Sequence, residues 1–184
     1  MRADLRRESG FMLVELLVAA VVLSIAILAM MAVYDASFIS LHKAAQKTAA
    51  ATLAQNQLEL FRALSYDSIG LDSSSLTTAQ ANSTYSGDES GLTPSGGTDV
   101  TLASSCSETQ CLPIQTLTGS DHRGYLVETF VRDIDDLGYA GRPERLVTII
   151  VRDPSTSGSP VVAELGYAFD QGPADTTTTV VGSS

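Results

Sequence analysis

Tryptophan is absent from the 184 residues, and lysine occurs only as Lys43 and Lys47. Eleven Lys and Arg stand against 21 Asp and Glu, a formal net charge of −10. Beyond residue 47 the arginines are scattered. A nucleic-acid surface needs clustered cations, so no nucleic-acid partner is expected. Only two cysteines occur, Cys106 and Cys111, enclosing Ser-Glu-Thr-Gln. Zinc would need two more ligands, and there is no second cysteine pair. The spacing suits a small disulfide loop in an exported protein, with a metal or redox pair as the rival reading. The G-x-S-x-G, phosphate-loop and dinucleotide signatures are all missing. His42 and His122 lie far apart, with no catalytic or ligand spacing around them. The expectation is therefore no enzyme, no cofactor and two surface histidines.

What the chain does have is one long apolar run. Residues 11–33 contain two polar side chains, Glu15 and Ser24. A helix of that length spans about 35 Å at ~1.5 Å per residue, enough for a hydrocarbon core of ~30 Å. Arg2, Arg6 and Arg7 precede it. By the positive-inside rule the N-terminus lies in the cytoplasm and everything after Tyr34 outside. The run is too long for the ~7–15 apolar residues of a secretory signal peptide. Glu15 is the exception within it. A charge at the centre of a span costs roughly 2.5 to 3.5 kcal/mol on insertion scales, and less near its end. Such an acid needs a cation as partner. Cleavage after Gly10 would create one, the amino group of Phe11, one helical turn from Glu15.

In Arg6-Arg7-Glu8-Ser9-Gly10, then Phe11-Met12-Leu13-Val14-Glu15 and the apolar residues behind them, the chain resembles the type IV prepilin family. That family includes type IV pilins and the pseudopilins of type II secretion. The resemblance implies a cleaved leader, residues 1–10, cut between Gly10 and Phe11 by a prepilin peptidase. It implies N-methylation of Phe11, and docking of Glu15 onto the terminus of an adjacent subunit. Met12 stands where Thr is commoner. The mid-helix proline of many major pilins is missing, as in minor pilins and pseudopilins; the first proline is Pro94. The implied partners are other pilins or pseudopilins, the peptidase and the inner membrane. Two alternatives stand beside a minor pilin of a type IV pilus. One is a type II secretion pseudopilin. The other is a single-pass anchored binding protein that never polymerises.

The expected fold class is α+β and pilin-like. A long N-terminal helix packs on a small antiparallel β-sheet. Residues 11–34 form its membrane half and residues 35–64 its amphipathic half, with two helices meeting near Tyr34-Asp35 as the alternative. Ala50, Leu53, Ala54, Leu58, Phe61 and Leu64 repeat at helical spacing and mark the buried face. Residues 65–120 are rich in Ser, Thr and Gly, and are expected to form loops, short edge strands and local disorder. Residues 121–170 form the sheet, a three-stranded meander over 124–131, 145–152 and 161–169. Residues 171–184 form a frayed tail. Asp133, Asp135, Gly138 and Glu144 fit positions 1, 3, 6 and 12 of a calcium loop. Leu137 at position 5 and Pro143 at position 11 do not fit it, so a solvated acidic turn is the preferred reading and no metal is expected.

Overall fold

The computed structural model describes residues 8–93, 96–135, 143–170 and 180–182. It divides into two compact units, Met1–Ala44 and Ala45–Ser184. Helix α1, Glu8–Arg62, runs without a break through Tyr34 and Asp35. Its sequence explains the continuity: between Gly10 and Gly70 nothing removes a backbone donor or relaxes the chain.

In the first unit every side chain from Leu13 to Ala44 is exposed. From Leu13 to Val33 the helix is apolar apart from Glu15 and Ser24, and it is long and apolar enough to cross a membrane. Two of its serine hydroxyls are satisfied internally. Ser24 donates to the Ala20 carbonyl at 2.7 Å and Ser37 to the Val33 carbonyl at 2.8 Å. This back-bonding spares any outside partner.

In the second unit α1 buries Ala49, Ala50, Ala54, Leu58 and Phe61. Leu53 and Leu64 are half-buried at the margin. The inward face thus starts at Ala49, later than the expected boundary at residue 35. Phe38, Ile39 and Leu41 are exposed, so residues 35–44 bury no apolar face in the second unit, although Asp35, Ser37, Ser40, His42 and Lys43 make them mixed in polarity.

The second unit is built on an antiparallel sheet. Strands β3 (Gly124–Asp135), β4 (Pro143–Arg152) and β5 (Val161–Asp170) form the expected meander. Three more strands join it. Strand β2 (Ile114–Thr118) pairs with β3 from Gly124 to Glu128, and the two-residue β1 (Thr98–Asp99) pairs with Asp133 and Arg132 further along the same edge. On the far side β6 (Val180–Gly182) pairs with Tyr167, Ala168 and Phe169 of β5. The expected frayed tail therefore returns to the sheet at Val180; residues 171–179 lie outside the described residues.

Alternation assigns the two faces. Tyr125, Val127, Thr129 and Val131 lie on one face with their neighbours Val147, Ile149 and Val151, all buried. They join Ala50, Ala54, Leu58 and Phe61 of α1 in a single core. Each fully buried large apolar side chain in it contributes roughly 1.5–3 kcal/mol. Arg62 stacks on the Tyr167 ring at 4.3 Å, near the end of α1.

The stretch expected as loops holds two helices, α2 (Ser73–Gln80) and α3 (Ser83–Gly91). Each starts on a side-chain cap. Asp72 accepts from the Ser75 amide at 2.8 Å, and Asn82 from the Thr84 amide at 2.9 Å. Their Ser, Thr and Gly content disfavours helix, so tertiary anchors hold them. Leu76, Ala79 and Tyr85 are those anchors, all buried. Tyr85 stacks on Phe130 with ring centroids 4.4 Å apart, and its hydroxyl donates to the Thr129 carbonyl at 2.9 Å. Burial pushes this phenol well above its usual range.

Candidate functional site

Gly10, Phe11 and Glu15 all lie on α1. Glu15 follows Phe11 by four residues, which puts both on nearly one face. Val18, Ala19, Val22 and Ala26 follow Glu15 along that face, all exposed. Glu15 is the single acid between residues 9 and 34. The described segment thus offers one carboxylate on an otherwise apolar cylinder.

The three residues of the calcium pattern fall on strands. Asp133 and Asp135 belong to β3, and Glu144 belongs to β4. Register pairs Asp133 with Arg145, Ile134 with Glu144 and Asp135 with Pro143. Asp133 and Glu144 therefore point to opposite faces of the sheet. Gly138 and Leu137 lie outside the described residues. Asp133 is instead ion-paired with Arg145 at 3.1 Å. Arg145 also donates to the carbonyls of Tyr66 at 2.6 Å and Ile69 at 2.9 Å, fixing the turn after α1. Among the described residues no group of three His, Cys, Asp or Glu is placed to hold a metal.

Cys106 and Cys111 are bonded, with Cα atoms 6.2 Å apart. Their loop is anchored on three elements. The Thr109 carbonyl accepts from Gln57 of α1 at 2.9 Å and from Gln115 of β2 at 3.1 Å. The Asp72 amide donates to the Cys111 carbonyl at 2.9 Å, and the Cys106 amide donates to the Asp72 carboxylate at 3.1 Å. Hydrogen bonds from Ser74, Ser75 and Cys106 hold the Asp72 carboxyl well below the usual carboxylate range. Nothing in the spacing of Gln57 or Asp72 marks these roles in the sequence.

The sequence reading also missed a buried ionic cluster. Arg152 on β4 donates to Asp88 of α3 at 2.8 Å, to Glu128 of β3 at 3.1 Å and to the Ser159 carbonyl at 2.7 Å. The Glu128 side chain is 1 % exposed. Its one available signal was alternation, which sets it between Leu126 and Phe130 on a face that proves to be covered. His42 and His122 are both exposed, as expected of surface histidines. Comparison of the chain with family models, with curated proteins and with solved structures returned no match.

Proposed function

We propose that this chain is a prepilin-like structural subunit, a minor pilin that is processed by prepilin peptidase and built into a type IV pilus. One observation carries the reading. A lone carboxylate, Glu15, stands one turn after Phe11 on a helix segment that is otherwise apolar and bare. An acid so placed in lipid is costly to ionise unless a cation pairs with it. Cleavage after Gly10 supplies one at the right depth. Within a bundle of such helices, each Glu15 pairs with the amino terminus of the next chain and fixes the axial stagger. The apolar surface supplies the packing, first against lipid and then against neighbouring subunits. Arg2, Arg6 and Arg7 set the orientation, with the second unit on the outer side of the inner membrane. That unit supplies the surface, and its acidity disfavours nucleic acid as a partner.

The test is Glu15→Ala in cells that carry the matching assembly machinery. The proposal expects the protein to stay at its normal level in the membrane and to vanish from sheared fibres. Undiminished fibre recovery contradicts it and favours the anchored binding protein.

A further inference from the structure

Two carboxylates share one guanidinium beneath α3, which leaves a surplus negative charge in the core if both ionise. Asp88 comes from α3, Glu128 from β3 and Arg152 from β4. Side-chain exposures are 17 %, 1 % and 11 %, so little water reaches any of them. The Oε2 atom of Glu128 faces Arg152, and its Oε1 atom is buried without a hydrogen-bond partner. An orphaned buried carboxylate oxygen is costly, whereas a carboxylic acid can carry a proton there. Both carboxyls contact the same Arg152 guanidinium. A proton on Glu128 therefore removes the surplus charge and leaves Asp88 to pair with Arg152 one to one.

We propose that this proton fastens α3 to the sheet: Glu128 is protonated when α3 is seated, and its ionisation loosens the Asp88–Arg152 tie. Every group facing Glu128 fits this role. From α3 come the Asp88 carboxylate and the Tyr85 phenol, and from β4 the Arg152 guanidinium. Its neighbours across the strands are Ile114 of β2 and Ile150 of β4, both apolar. Among the described residues Arg152 is the cation paired with both acids. Burial first, and then the Asp88 carboxyl, push Glu128 up to about 7 against the pull of Arg152. Asp88 is the more exposed acid and sits on the weaker element, so α3 yields before the sheet does. The sequence Ser-Thr-Tyr-Ser-Gly-Asp-Glu-Ser-Gly holds helix poorly once undocked. Its release uncovers Phe130, now 2 % exposed. The device is a pH-gated apolar surface on the second unit.

The sign follows from linkage. A carboxyl raised on docking favours the docked state below its docked value, and that favour fades as pH rises through it. The test is hydrogen exchange of the full chain in detergent micelles, with protection corrected for intrinsic rates. Peptides over Ser83–Gly91 are expected to lose about tenfold in protection between about pH 6 and about pH 8.5, while those of β4 hold. Glu128→Gln is expected to remove that dependence. Protection of α3 that ignores pH in the parent protein overturns the proposal, as does a Glu128→Gln protein that loses protection just as the parent does. Should Glu128→Gln fail to fold, the Glu128 carboxyl carbon resonance of the parent decides. A midpoint near the ordinary ~4.3 overturns the proposal, and one near neutrality supports it.

Discussion

Gln57 of α1 donates its side-chain amide to the Thr109 carbonyl at 2.9 Å, and so ties the long helix to the disulfide loop. Gln57 is 2 % exposed, so the bond sits where water cannot replace it. Replacing Gln57 by Ala strands the helix-facing side of that carbonyl. Gln115 still donates to that carbonyl, so the expected cost is that of one hydrogen bond, about 0.5–1.5 kcal/mol, read as a lower urea midpoint at unchanged m-value. Gln57→Glu should be worse, because it sets a carboxylate against a carbonyl oxygen.

The disulfide closes a short loop, with the two cysteines five residues apart. Chain entropy assigns such a loop about 2 kcal/mol. The Cys106→Ser, Cys111→Ser double variant is expected to lose about that much and to keep its sheet. Reduction with dithiothreitol should lower the melting temperature of the parent and leave the variant unchanged. Equal melting temperatures for parent and variant would remove the loop from the stability account.

Acid stability should depend on Asp72. Its carboxyl is held below the usual range by hydrogen bonds that Ser74, Ser75 and Cys106 donate to the charged form. The stabilisation is therefore complete above the unfolded value of ~3.9 and is lost as pH falls through the folded value. Asp72→Asn keeps an acceptor for the α2 cap but cannot titrate. Its stability curve should be flatter than the parent's on the acid limb, measured by urea midpoints from neutral pH downward.

The long helix was legible because its signals are redundant: composition, length, absent Gly and Pro, and a repeating apolar face at Ala50, Ala54, Leu58 and Phe61. The meander was legible from alternation in Tyr125–Val131 and from the β-branched run Val147–Val151. What stayed hidden depends on contacts distant in sequence. Helices α2 and α3 have weak propensity, and exist because Asp72 and Asn82 cap them and Tyr85 finds Phe130. Strands β1 and β2 owe their form to an open edge of β3 rather than to their own residues. The β3–β4 pairing could not be read from the spacing of the acids either: strand pairing carries β3 on to Asp135 and starts β4 at Pro143, so Asp133 and Glu144 lie on paired strands. Of the candidate site, the spacing of Gly10, Phe11 and Glu15 along one continuous helix could be read from the sequence. The cluster of Asp88, Glu128 and Arg152 could not, since three elements supply it.

The central claim is that Glu15 awaits an amino group made by cutting the chain after Gly10. The most direct measurement is the mass of the N-terminal peptide, taken from native membranes and from sheared surface fibres of cells with an active prepilin peptidase. The account predicts a peptide starting at N-methylated Phe11, present in the fibre fraction. A chain still starting at Met1, found only in membranes, would contradict it.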